Sequence, residues 1–337
     1  MSDDTLTEHA IRPADTAAEQ KRRFDRDVAR MLARRAEFVD VPCPACSGTG
    51  RALRFQKHSL DYQECSSCHT VYISPRPPPT VLSDYYENSE NYAYWNDVIF
   101  PSSEATRRSR IFRPRATRLV ELCRRHGVTT GTLVEVGAGF GTFCEELAGI
   151  GAFERLVAIE PTPQLAATCR KRGLEVIQAP IERAKLDAQA DVVASFEVIE
   201  HIFQPSDFLE TCRRMLKPGG LLVLTCPNID GFDIEVLGSG SPAIDPEHLN
   251  YFRPSSLGLL LERHGYSLLE SQTPGVLDAD IVRNRVLAGE AAITDRFLRR
   301  VLIDEWERLG GAFQTFLSTN GLSSNMWIAA RNASAAG

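Results

Sequence analysis

TLVEVGAGFGTFCEELAGI, residues 132–150, runs a strand-length apolar segment straight into a glycine-rich bend and then a helix-like stretch. Gly137, Gly139 and Gly141 let the chain turn tightly and bring its backbone against a ligand at the N-terminus of the following helix. A dinucleotide site carries its last glycine one position later, to seat helix against strand near a pyrophosphate, and Thr142 stands there instead. The bend therefore predicts a nucleotide-type βα turn of G-x-G-x-G form.

Downstream of Thr130 the alternation continues. RLVAIE, LEVIQ, ADVVASF and GLLVLTC have strand length, with helical patterns starting at Gly141, Pro163 and Ser206. Apolar strands between helices imply an α/β fold with a largely parallel sheet covered on both faces. RPSSLGLLLERHG predicts a further helix, with Ser255 or Ser256 as its N-cap. YSLLESQ and SNMWIAARN read as late strands, and 274–322 as a mostly helical insert able to act as a lid.

Upstream, EQKRRFDRDVARMLARRAE (19–37) favours helix, with Phe24, Val28, Met31 and Leu32 on one face and its arginines on a solvated one. Closely paired cysteines mark 41–79, and the run Ser74-Pro-Arg-Pro-Pro-Pro79 predicts an extended linker there. The aromatic segment YYENSENYAYW and a helix through Arg107 to Arg125 follow; such rings wall a pocket or, more commonly, pack a core. The expected segments are 1–40, helical; 41–79, a metal ribbon; 80–130, a helical linker on the substrate side; and 131–337, the main domain with its insert.

The chain has 337 residues, 43% hydrophobic and 24% charged, which suits a soluble globular enzyme and excludes a disordered or fibrous chain. A net charge of −6 disfavours a general nucleic-acid binder. MSDDTLTEHAIRPAD lacks a basic stretch followed by an apolar core, and no apolar run approaches membrane-spanning length. With nine cysteines, four of them closely paired, the expectation is a reducing cytoplasm rather than a disulfide scaffold.

Glu160 ends the second core strand 19 residues after Gly141, where a carboxylate can bond both hydroxyls of a ribose. With VEVGAGFG, VAIEP, ADVVASFEVIEHI and MLKPGGLLVLTCPN in this order, the chain resembles class I S-adenosylmethionine-dependent methyltransferases from Leu133 onward. The resemblance implies a Rossmann-like seven-stranded sheet and S-adenosylmethionine as cofactor. It implies that Gly137, Gly139 and Gly141 pass under the amino-acid part, that Glu135 holds the amino group, and that Glu160, followed by Pro161, grips the ribose. Ile181 and Glu182 would flank the adenine, and Phe196 with Glu197 would line the methionine side. A dehydrogenase is the competing reading of the same turn.

Glu197, Glu200 and His201 follow the fourth core strand at the carboxyl edge of the sheet, and DPEHLNYF adds His248 after the fifth. Two carboxylates and two imidazoles make a credible site for Mg2+ or Mn2+, able to lower the pKa of an acceptor hydroxyl. The arrangement resembles that of small-RNA 3′-terminal 2′-O-methyltransferases and ubiquinone-biosynthesis O-methyltransferases, which implies a vicinal diol or catechol-like acceptor. The competing reading is that Glu200 and His201 cap and pack the turn; His201 or His248 is then the general-base candidate.

Cys43-Pro-Ala-Cys46 and Cys65-Ser-Ser-Cys68 are C-x-x-C knuckles 18 residues apart. Each can give two thiolates to a tetrahedral Zn2+, with a short β-ribbon joining them and no open position for catalysis. His69 is not expected to be a ligand. CPAC, CSSC and the SPRP segment also resemble sugar C-methyltransferases with an N-terminal zinc module, although EVIEH is not expected in those. The functional expectation is O-methylation of a small-molecule or glycan acceptor. An NDP-sugar C-methyltransferase, an RNA 3′-terminal 2′-O-methyltransferase and a non-catalytic scaffold are the alternatives, and oligomeric state is undetermined.

Overall fold

Apolar runs of strand length become strands where the sequence places them. The computed structural model describes residues 6–333, so the first five residues of the N-terminal stretch and the last four of the C-terminal span lie outside the described residues. In chain order the strands are β1 Arg51–Lys57, β2 Leu60–Cys65, β3 Val71–Ile73, β4 Thr132–Val136, β5 Arg155–Ile159, β6 Glu175–Ile177, β7 Ala190–Phe196, β8 Leu216–Pro227, β9 Asn250–Tyr251, β10 Tyr266–Gln272 and β11 Asn325–Asn332. By contacts the chain divides into two units: one gathers the residues up to 103 with 227–254 and 272–326, the other 104–226 with 255–271 and the residues from 327 onward.

The second unit is the α/β layer. Its sheet has the order β10-β11-β8-β7-β4-β5-β6, with β8, β7, β4, β5 and β6 paired in parallel. This is the Rossmann-like, mostly parallel seven-stranded sheet that the sequence predicts. Every residue of β7 is buried, as a strand covered on both faces requires. From β4 the chain winds outward to β5 and β6, then returns to the other side of β4 for β7 and β8. Winding reverses between β4 and β7, the place where open α/β sheets take ligands. Register sets Val136 beside Ser195 on one side and Ile159 on the other, so the loops leaving these three strands start side by side. Phe143 meets Phe196 edge-on at 4.7 Å and Phe196 stacks on Trp327 at 6.2 Å within the core of this unit. The helix Pro254–Arg263 starts on its proline, whose missing N–H costs nothing in a first turn, so Ser255 and Ser256 lie inside the helix and do not cap it.

In the first unit β1 and β2 form an antiparallel hairpin, turned by His58 and Ser59 at φ 50° and 58°, and β3 and β9 extend it to the order β1-β2-β3-β9. The run Ser74–Pro79, expected as a linker, is built into this unit. Arg76 pairs through its backbone with Val39, and its buried guanidinium donates to Asn250 Oδ1 at 3.1 Å. Pro79 opens the helix Pro79–Glu87. An extended X-Pro backbone suits strand-edge pairing, and proline suits the first helical position, so neither acts as a spacer. Along the helix Ala17–Leu32 the arginines are engaged at home: Arg22 and Arg23 with Glu19, Arg26 with Glu90 and Arg30 with Asp27. No helix among the described residues is long and apolar enough to cross a membrane.

The 274–322 insert contributes the helices Asp278–Leu287 and Trp306–Thr319, which pack Val282, Trp306 and Leu317 with Phe232. Beside this cluster Ser241 Oγ donates to Asp233 at 2.6 Å, and Ser324 Oγ donates to the same carboxyl. Burial, with the charge of Asp278 adding to it, pushes the Asp233 carboxyl up to about 7 from an ordinary 3.8. The folded chain thus holds a proton that the unfolded chain has already lost. The associated stability is full below about pH 4 and is lost as pH rises through about 7. Asp233→Asn should flatten that part of a plot of Tm against pH; an unchanged slope would mean that Asp233 is ionised across the window.

Candidate functional site

The bend leaving β4 enters the helix Thr142–Ile150 with Gly141 at the N-cap. Gly137 has φ +75°, and a Cβ there would lie 2.5 Å from Val198 Cγ2, so both backbone and space demand glycine. Gly139 has φ +55°, and nothing among the described residues lies within 4 Å of a Cβ built on it. The loop is therefore packed at its start and open over its middle. The N–H groups of Gly137 and Ala138 both bond to the Ile159 carbonyl, at 2.9 and 3.2 Å, which stitches the bend to β5.

Glu160, the residue after β5, accepts the Gly139 N–H at 2.9 Å on Oε2 and the Thr162 N–H at 2.8 Å on Oε1. Burial pushes its pKa up, and these two donors oppose the shift. Each carboxylate oxygen keeps a second lone-pair site, so the group can still accept hydroxyls. Pro161 is exposed beside it. Past β6, Ile181 is buried and Glu182 exposed in the turn Ile181–Arg183.

Glu135, on β4, is buried, and burial raises its carboxyl to about 8 against a hydrogen bond from Cys144 and the charge of Arg115. Its Oε2 has no hydrogen-bond partner among the described residues, a state that a donating ligand relieves. The Arg115 guanidinium stands 4.4 Å from the centre of the Phe196 ring, and burial lowers its pKa while the charges of Glu197 and Glu135 raise it. A buried acceptor, a guanidinium and a loop with open space suit a ligand carrying both an ammonium and a carboxylate. Sequence reasoning missed Arg115, because RPRATR reads as one more basic turn of a surface helix.

Glu197, Glu200 and His201 come together on the turn after β7. Glu197 sits at φ +55°, a left-handed conformation that costs a residue with a side chain. It is held by its own N–H on the Thr225 carbonyl at 2.9 Å and by Thr225 Oγ1 donating to Oε1 at 2.6 Å. Glu200 is fully buried, and burial with the Glu197 charge pushes its pKa far above the carboxylate range. The half-buried His201 donates its N–H to the Val198 carbonyl at 2.9 Å.

His248 belongs to the first unit, in the loop before β9. Its Nδ1 lies 3.0 Å from the Ala243 carbonyl, and its ring meets Tyr251 edge-on at 5.8 Å. Beside it the buried Glu247 accepts the Tyr92 hydroxyl at 2.7 Å and the Tyr85 hydroxyl. The aromatic segment thus delivers two phenols to one carboxyl. DPEH displays the acid next to the histidine, yet nothing in the spacing ties it to residues 85 and 92.

The four Sγ atoms of Cys43, Cys46, Cys65 and Cys68 lie within 4.8 Å of one another, also in the first unit. Tetrahedral zinc at about 2.3 Å from each sulfur spaces the sulfurs about 3.8 Å apart. Cys43 and Cys68 are 3.4 Å apart, and Cys46 and Cys65 3.5 Å, so the set is slightly tight for the ion and needs only a small outward adjustment. Backbone N–H groups of Gly48 and Ser67 point at Cys46 Sγ and Cys65 Sγ, a second shell that suits thiolates. His69 bonds Glu64 at 3.1 Å instead of joining the set.

Residues 105–271 match a family described as a methyltransferase domain. The ubiquinone biosynthesis O-methyltransferase of Xylella fastidiosa (strain M23) is 30% identical over 166 residues, 45% of this chain and 67% of that protein. Its counterpart in Caulobacter vibrioides is 37% identical over 103 residues, 29% of this chain and 41% of that protein. A Streptomyces niveus protein named C-methyltransferase NovU is 32% identical over 184 residues, 52% of this chain and 42% of that protein. The chain spans about two-fifths of the length of the Caulobacter and Streptomyces relatives. The family domain falls on the parallel sheet and its glycine bend, and with two-thirds of the Xylella enzyme covered, the chain belongs to the class I S-adenosylmethionine-dependent methyltransferases.

Proposed function

We propose that this chain methylates a hydroxyl oxygen of a small molecule or glycan-type acceptor, in the reducing cytoplasm that cysteines outside disulfides suit. The observation that carries the donor half is the buried Glu135 Oε2, without a partner among the described residues, on the strand that leads into the glycine bend with its open middle. S-adenosylmethionine supplies a methyl group already activated by its sulfonium charge. Glu135 takes the donor's ammonium, Arg115 its carboxylate and Glu160 its ribose hydroxyls. Ile181 and Glu182 flank the adenine, and Phe196 with Glu197 borders the methionine side.

The chain's remaining task is to align the acceptor and remove its proton. A carbonyl only accepts, so the contact with Ala243 places the proton of neutral His248 on Nδ1 and the lone pair on Nε2, the form a general base needs. In the metal-assisted version, Glu197, Glu200, His201 and His248 would hold Mg2+ or Mn2+, which would lower the pKa of the acceptor hydroxyl. Relatives named as ubiquinone biosynthesis O-methyltransferases support transfer to oxygen. Transfer to carbon on a nucleotide sugar is the second reading, favoured by the cysteine set together with the relative named as a C-methyltransferase. We also assign the four cysteines to a structural Zn2+.

Calorimetry should detect S-adenosylmethionine and its demethylated product, and Glu160→Ala should weaken both about 10- to 100-fold, the value of one or two charge-assisted hydrogen bonds. Binding of a nicotinamide nucleotide in their place would sink the donor reading. With labelled donor and a pool of catechols, diols and nucleotide sugars, mass spectrometry should find the new methyl on oxygen; a label on carbon would hand the function to the second reading. Metal analysis should return about one zinc per chain, reduced in Cys46→Ser, and four freely titrating thiols in a metal-free folded protein would refute the ribbon assignment.

A further inference from the structure

We propose that Lys57, at the end of the β1–β2 hairpin, is a positioning residue for His248, clamping the turn whose Ala243 carbonyl orients the imidazole; this rests on the reading of His248 as the acceptor-side base. Lys57 Nζ donates to the Ser241 carbonyl at 3.0 Å and to the Ile244 carbonyl at 2.6 Å. Those two carbonyls flank Ala243, whose own carbonyl takes the His248 Nδ1–H at 3.0 Å. An ammonium bonds a neutral carbonyl more strongly than an amide N–H does, so two such bonds fix the turn firmly.

The placement is unusual for a hairpin lysine. Such side chains normally reach water or a carboxylate, whereas Lys57 is half-buried, and no carboxylate lies within ion-pair distance of it among the described residues. Burial pushes its pKa down, with the more distant charge of Asp245 opposing the shift.

The rest of the loop is tied at its two ends. Ser241 Oγ donates to Asp233 at 2.6 Å on one side. On the other, the Tyr251 hydroxyl accepts the Asp245 N–H at 2.7 Å and donates to the Asp245 carbonyl at 2.9 Å. Between these anchors, 241–244 is a single turn closed by the Ile244 N–H on the Ser241 carbonyl at 3.1 Å, and Lys57 adds the charged clamp across it. Through Lys57 the cysteine-bearing ribbon therefore reaches the loop that carries the proposed base.

The decisive measurement is the imidazole 15N spectrum of the full-length, zinc-loaded protein at about pH 8.5, above the ordinary histidine range, with His248 assigned by loss of its signals in His248→Ala. Wild type and Lys57→Arg should show one Nδ1-protonated tautomer. Lys57→Met, which keeps the apolar stem and removes the donors, should show a mixture of tautomers with calorimetric donor affinity unchanged. With a catechol probe, Lys57→Met should lower kcat about 10- to 100-fold at near-constant KM, and Lys57→Arg should recover most of it. A single Nδ1-protonated tautomer in Lys57→Met overturns the inference; should that variant not fold, Lys57→Leu, which also lacks donors, is read in the same way. Catalysis at the wild-type rate by His248→Ala would instead refute the assignment of the base, leaving the tautomer result to judge Lys57 on its own.

Discussion

A carboxylate that takes one N–H from each of two neighbouring loops is the contact on which the glycine bend of this protein depends. Glu160 lies at the carboxyl edge of a parallel sheet, where the loops after β4 and β5 leave with backbone donors unpaired. Burying an acid is expensive, and burial alone would favour its neutral form. The N–H groups of Gly139 and Thr162 offset that cost, and in return the carboxylate fixes the glycine bend from outside. Gly137 completes the restraint from within, since Val198 leaves no room for a side chain. If the bend is the donor cradle proposed above, it is built before a ligand arrives, and little loop ordering is charged against binding.

The first unit solves a different problem. Its sheet is small and β1 is exposed along most of its length, so apolar burial falls to β2, β3 and the cluster around Phe232 and Trp306. Cross-linking side chains add to that hold: the Arg76 guanidinium on Asn250, and the carboxyls of Asp27, Asp233, Glu247 and Asp278. A buried polar network is stabilising only when its members are satisfied. That requirement explains why serines, tyrosines and backbone N–H groups, not aliphatic side chains, surround these acids.

The legible part of the sequence was the part whose physics is local. β7 announces itself because a strand covered on both faces must be apolar throughout, and the glycine bend because a left-handed turn needs glycine. C-x-x-C pairs are equally local. Ser74–Pro79 misled because proline signals an extended backbone without saying whether that backbone spans a gap or pairs with Val39. Arg115 and Glu247 were illegible for another reason. Tyr85 and Glu247 are 162 residues apart, and the contact division sets 227–254 and 272–326 with the N-terminal residues, across the reading of 131–337 as one continuous domain. No periodicity carries a pairing over such a distance.

The choice between oxygen and carbon acceptors turns on which group can take a proton. Transfer to a carbon beside a keto group calls for a base and for donors to the oxygen that becomes an enolate. Tyr85 and Tyr92 look suited to either duty, but both hydroxyls are committed to Glu247, and burial pushes both pKa values upward. Glu247 is itself raised to about 8 by burial and the Asp245 charge, and it accepts one phenol on each oxygen. His248 is differently placed: its Nδ1–H is fixed on a backbone carbonyl, which assigns the lone pair to Nε2. One imidazole held in that tautomer suits a phenol- or diol-type hydroxyl, whose proton departs as the new bond to oxygen forms. A carbon acid would also ask for a donor to the enolate oxygen, and the Tyr85 and Tyr92 hydroxyls are committed to Glu247.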